Sequence, residues 1–202
     1  MTEAPRRQQS NTNLVWIDLE MTGLDPTVDA ILQAALIVTT AELEPLERYV
    51  VDIWQPEEVL GRMVPFVRGM HEKTGLTERV RQSKVELRRA EQELLARVSG
   101  WCPYQPVLCG NTIHSDRKFL DRYMPALTGY LHYRMVDVSS LKVLVQLWYP
   151  TRAFDKPKGA EHDALFDIEQ SIAELDHYRK NILRPSAVGA SVPASAARLD
   201  DA

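Results

Sequence analysis

Hydrophobic and polar residues alternate from Asn13 to Glu20 (NLVWIDLE), with Val15, Ile17 and Leu19 on one face and Trp16, Asp18 and Glu20 on the other. A period of two predicts a strand. Ile31 to Thr40 is a nearly continuous apolar run, and Arg48 to Ile53 is shorter and β-branched. The short links predict an antiparallel meander of three strands. From Ser83 the period lengthens. Ser83 and Glu86 have the spacing of a capping box, and Leu87, Ala90, Leu94 and Val98 follow at helical intervals. Strands and helices then alternate. Pro106 to Cys109 predicts a buried strand, Ser115 to Met124 a helix stopped by Pro125, and Tyr133 to Val136 another strand. Ser140 to Trp148 predicts a helix, and Asp163 to Asn181 a long one whose inner face carries Leu165, Ile168, Ile172 and Leu175. A meander followed by βαβα predicts an α/β domain: one mixed sheet with helices on its faces.

The 202 residues suit one domain rather than two. Residues 1–12 are polar, and residues 184–202 are rich in Ala, Ser, Pro and Val without a period; both are expected to be disordered tails around a domain at 13–183. Hydrophobic residues at 45% and charged residues at 26% are the balance of a water-soluble globular chain. No apolar run is long enough to span a membrane, and the first ten residues lack the apolar core of a secretory signal. Two cysteines, Cys102 and Cys109, are too few for a disulfide framework and form no zinc pattern, so a reducing compartment is expected. A net charge of −4 and a pI near 5.8 argue against a broad phosphate-binding surface. The basic run from Arg68 to Arg89 reads either as a guide for RNA or as a solvated loop and helix face.

Candidate chemistry lies at the element junctions. Asp18 and Glu20 sit two apart at the end of the first strand, so their carboxylates share a face. Such a pair needs a hard divalent cation or basic partners, although a D-x-E at a strand end is more often solvated surface. Asp116 falls where a buried strand gives way to a helix, a place where α/β sheets bind ligands and where an acid also favours the helix dipole. Asp167 lies beside the inner stripe of the last helix, and His162 lies just before its start.

The segments WIDLEMTGLDP, GNTIHSDRKFLDRYMP, HYRMVDVSSLK and HDALFDI followed by SIAEL resemble the oligoribonucleases of the DEDDh exonuclease superfamily, over about residues 13–182. The resemblance implies a ribonuclease H-like mixed five-stranded sheet with helices on both faces. It also implies a 3′→5′ exoribonuclease that degrades very short single-stranded RNA, above all dinucleotides, to 5′-nucleoside monophosphates. Asp18, Glu20, Asp116 and Asp167 would hold two Mg²⁺ or Mn²⁺ ions, and His162 would act as general base. Leu24 would wedge between the bases, Phe66 and His71 would line the base and 3′ side, and Thr112, Arg134 and Ser139 would cap the 5′ phosphate. Tyr133 would reach the partner subunit's site, so the resemblance implies a homodimer, cytoplasmic, or mitochondrial in a eukaryotic source.

The chain departs from the family's pattern at several positions. Phe66 stands where tryptophan is common, Thr112 where serine is usual, and Gln33 where glutamate is common. Asp163 follows the histidine where a polar or basic residue is typical, and Phe166 precedes Asp167 where an acid or small residue is usual. Two other readings stay open: a trimming exonuclease acting on longer DNA or RNA, and a silent module that binds short RNA without cutting it.

Overall fold

The computed structural model describes residues 9–155 and 163–183. Three strands come first, β1 (Leu14–Met21), β2 (Ile31–Thr39) and β3 (Pro45–Asp52). Three short helices follow: α1 (Glu57–Leu60), α2 (Pro65–Lys73) and α3 (Leu76–Gln82). After them come α4 (Leu87–Trp101), β4 (Leu108–Gly110), α5 (His114–Tyr123), α6 (Pro125–Tyr130), β5 (Met135–Asp137), α7 (Val138–Trp148) and α8 (Ala164–Asn181). The sheet has the order β3-β2-β1-β4-β5. β1 and β3 run antiparallel to β2, while β4 is parallel to β1 and β5 to β4. This is the expected α/β architecture with a mixed five-stranded sheet.

Helices cover both faces of the sheet, so β1 and β2 are buried on both sides and the alternation on β1 separates two cores rather than core from solvent. Val15, Ile17 and Leu19 pack with Ala90, Leu94 and Val98 of α4 and with Phe119 and Leu120 of α5. Trp16, on the other face, packs with Val138 and Val145 of α7 and with Ala164, Ile168 and Tyr178 of α8. Each such aliphatic side chain contributes roughly 1.5–3 kcal/mol by leaving water. A third, smaller cluster joins Leu32 to Leu60, Met63, Leu76 and Val80 of the short helices. Both cysteines are buried and unbridged.

Several local expectations are corrected. The Ser83–Glu86 capping box does not form: Glu86 is the N-cap without a side-chain bond, and the Ser83 hydroxyl donates to the Asp52 carbonyl and accepts from the Val85 N–H. Pro125 does not merely stop a helix. It occupies the first turn of α6, where a missing N–H costs nothing. On α8 Leu165, Ile172 and Leu175 do pack, partly buried, against the core around Ile168, but the fully buried positions also include Ser171, Glu174 and Tyr178, which the apolar stripe did not mark. Of the expected amino-terminal tail, residues 9 and 10 are tied to α4: Gln9 donates to the Ser99 carbonyl and the Ser10 N–H to that of Trp101. Residues 1–8 and 184–202 lie outside the described residues.

Candidate active site

The carboxylates of Asp18 and Glu20 leave β1 on the face covered by α8. A register irregularity between Glu20 and Met21 ends the regular pairing with β2 and re-aims the strand at this point. Asp116, in the first turn of α5, accepts a hydrogen bond of 3.1 Å from the Leu19 N–H. That bond seats α5 on β1 between the two strand acids. Asp167 is in the first turn of α8, whose N-cap is Asp163, accepting from the Phe166 N–H at 3.0 Å. The departure at position 163 therefore supplies a helix cap.

The electrostatics of the group are unfavourable without a cation. Burial, together with the charges of Asp167, Asp116 and Asp163, pushes the Glu20 carboxyl up from its ordinary range to about 8. Burial also raises Asp116 to about 7, against the Leu19 N–H that favours its charged form and with the Asp137 charge adding to the rise. His71, expected to line the 3′ side, is fully buried. One ring nitrogen lies 2.9 Å from the Met21 carbonyl, and the other lies 3.8 Å from Glu20 Oε2. It supports Glu20 from behind. Among the described residues no three Asp, Glu, His or Cys side chains stand close enough to grip an ion as placed. The donor set is nonetheless that of a hard divalent cation: carboxylate oxygens, partly desolvated, with charge in excess. His162 lies outside the described residues.

Beside Glu20 opens a cleft of about 790 Å³, lined among others by Thr22, Leu24, Arg62, Phe66 and Met70. Leu24 is 84% exposed and Phe66 77%, an apolar pair left facing solvent. The loop presenting Leu24 is organised by Asp29, which the sequence reading did not single out. The Asp29 carboxylate accepts from the Thr22 hydroxyl at 3.0 Å and the Asp25 N–H at 2.9 Å, and its carbonyl accepts from the Tyr123 hydroxyl at 2.7 Å. A Cβ at Gly23 would come within 2.4 Å of that carboxylate, so a side chain there would have to push Asp29 out of these bonds. Arg62 is a second lining residue that the sequence reading missed, because nothing in a run of loop residues marks one arginine above its neighbours.

At the carboxyl end of β4, Thr112 adopts a left-handed backbone (φ 55). Its N–H donates to Asp137 Oδ1 and to Ser139 Oγ, both at 2.9 Å, and its hydroxyl lies 3.0 Å from Ser139 Oγ. Thr112 and Ser139 are thus brought together. Tyr133 and Arg134 precede β5 and are exposed, with the Arg134 guanidinium 5.3 Å from the centre of the Tyr133 ring. Gln33 pairs across from Glu20 and donates to Asp52 at 2.6 Å; Asp52 also accepts from Arg79. An acid at position 33 would face Asp52 at that distance, so the neutral amide matches its surroundings. In the basic run, Arg79, Arg81 and Arg89 pair with Asp52, Glu57 and Glu93. This favours the solvated reading of that segment.

A mixed sheet of this order, with acids at the ends of β1, α5 and α8, defines a class, and residues 15–175 match the family model described as Exonuclease. The oligoribonucleases of Pseudomonas paraeruginosa and Ectopseudomonas mendocina are 49% and 47% identical to it over 178 residues, 87% of this chain and 99% of each relative. The chain belongs to the oligoribonuclease family. Among solved structures, exonuclease I from Methylocaldum szegediense superposes with a TM-score of 0.68 at 20% identity, over 84% of this chain and 41% of that one. The metal-free E. coli ExoI–ssDNA complex gives a TM-score of 0.66 at 16% identity, over 86% of this chain and 40% of the other. These two share the fold; this chain spans less than half their length.

Proposed function

We propose that this chain is a 3′→5′ exoribonuclease of very short RNA, preferring dinucleotides and releasing 5′-nucleoside monophosphates. The observation that carries the reading is the meeting of acids at one place: Asp116 of α5 is bonded to the Leu19 N–H between Asp18 and Glu20, Asp167 is close enough to act on Glu20 by charge repulsion, and Glu20 lines the cleft beside Leu24 and Phe66. Asp18, Glu20, Asp116 and Asp167 would hold two Mg²⁺ or Mn²⁺ ions, which when bound offset this repulsion and stabilise the attacking and leaving oxygens of an in-line displacement. His162 takes the proton of the attacking water. Leu24 and Phe66 bracket the terminal bases, and His71 holds Glu20 in place from beneath. Thr112, Ser139 and Arg134 receive the 5′ phosphate, so a longer chain has nowhere to run. Acidic net charge agrees with a site that grips few nucleotides. Timed digestion of end-labelled RNAs of graded length is expected to consume dinucleotides fastest with Mn²⁺ and to stop with chelator. Equal rates at all lengths would favour the trimming exonuclease instead, and tight binding without product the silent module.

The working form in this reading is a homodimer, with Tyr133 completing the partner's site. Its support is the outer face of α7, where Leu147 is 70% and Trp148 65% exposed and Val143 lies beside them. So much apolar surface on one helix suits a second copy. Leu147→Glu is expected to give a monomer of reduced activity by light scattering. An unchanged dimer mass would place the contact elsewhere. Among the described residues no helix is long and apolar enough to cross a membrane.

A further inference from the structure

Glu174 is a buried acid that the chemistry above leaves unused, with a side chain only 2% exposed. Its Oε1 accepts from the Tyr178 hydroxyl at 2.7 Å. Its Oε2 accepts from Lys142 Nζ at 3.1 Å and from Asn111 Nδ2 at 3.3 Å. The second Asn111 Nδ2 proton goes to Ser171 Oγ at 2.9 Å, and Ser171 donates in turn to the carbonyl of Asp167 at 2.9 Å. On its other side, Asn111 Oδ1 accepts from Ser139 Oγ at 3.0 Å. Every donor in this chain has one direction open to it. A carboxylate only accepts, so Glu174 fixes the Asn111 amide with nitrogen inward and oxygen toward Ser139. The single Ser139 proton is then committed to Asn111, and the Thr112 hydroxyl must donate to Ser139 or to a ligand. Ser139 and Lys142 share a face of α7, so Lys142 pins the helix carrying the cap to the helix carrying Asp167.

We propose that Glu174 is a positioning residue: through Asn111 and Ser171 it couples 5′-phosphate binding at Thr112 and Ser139 to the placement of Asp167. This rests on the reading of Thr112 and Ser139 as the phosphate cap. A phosphate oxygen that takes the Thr112 proton pulls on Ser139 and so on the pinned Asn111 amide, which is tied through Ser171 to the turn carrying Asp167, so occupancy of the cap and alignment of the acid go together. Glu174→Gln keeps the shape, weakens the Lys142 pairing and lets the Asn111 amide turn over.

The test is kcat and KM with Mn²⁺ for a 5′-phosphorylated dinucleotide and its 5′-hydroxyl counterpart. In Glu174→Gln, kcat/KM for the phosphorylated substrate is expected to fall about tenfold, while that for the hydroxyl substrate stays within about twofold. Ser171→Ala, which leaves the buried charge pair alone, is expected to shift the same ratio by about threefold. A merely structural role would lower both substrates equally, and that result overturns the proposal. Should Glu174→Gln fail to fold, Ser171→Ala decides alone. If the unaltered enzyme does not distinguish the two substrates, the cap reading falls and the coupling with it. If it does and both variants keep its ratio, only the coupling falls.

Discussion

Asp167→Asn and Glu20→Gln are each expected to lower turnover of a 5′-phosphorylated dinucleotide by a factor on the order of 10³ or more, with the circular dichroism of the native fold retained. The two variants differ in what else they do. Glu20 is buried among like charges, so a neutral amide of the same shape relieves repulsion that folding imposes. Without metal, Glu20→Gln is therefore expected to melt a few degrees above the unaltered chain, a gain of about 1 kcal/mol. Adding Mn²⁺ should raise the melting midpoint of the unaltered chain by mass action and that of the variant much less. Turnover near the original value in either variant would remove that residue from the metal-binding set. A lower metal-free midpoint for Glu20→Gln would mean that burial of the acid is satisfied in some way other than by a cation.

Arg134→Ala is the second large effect expected, acting on substrate length rather than on chemistry. Thr112 offers one neutral hydroxyl donor, with Ser139 braced behind it, whereas the guanidinium brings a full charge and two parallel bonds to a phosphate dianion. Its loss is expected to raise KM for the 5′-phosphorylated dinucleotide by about ten- to a hundredfold. The rate on a long strand, which has no terminal phosphate at that distance, should hardly change, so the preference for short RNA narrows. Steady-state kinetics on the two substrates measures it. An unchanged ratio would take Arg134 out of the cap and leave its stacking on Tyr133 as its role.

The strands β1 and β2 were legible because a period of two, and a long apolar run, leave few other structures open. The acids were legible one at a time only as junction residues. It was the resemblance that joined them, since Asp18, Asp116 and Asp167 are far apart in sequence and no local pattern encodes their convergence. The helices α1 and α3 escaped because they are too short to repeat an amphipathic period, and α2 because the one residue it buries is a histidine, His71. Ser83 misled because a spacing that suits a capping box also suits a hydroxyl that bonds to a neighbouring strand. Ser171 and Glu174 were not singled out, since hydrophobicity alone marks only the apolar residues of a helix as inward. Their burial is intelligible only once Asn111, Lys142 and Tyr178 are known to meet them. Asp29 was equally hidden, its importance lying in a loop whose bonds are all long-range or irregular.

The placement of Asp167 on α8 has a consequence for synthesis. The meander that carries Asp18 and Glu20 leaves the ribosome first, and α8 is the last described element to follow. In the proposed reading, until α8 docks across β1 and β2 the nascent polypeptide lacks Asp167 as a metal ligand and cannot trim RNA. Catalytic competence thus arrives only when translation of this domain is nearly finished, a timing imposed by the order of its secondary structures.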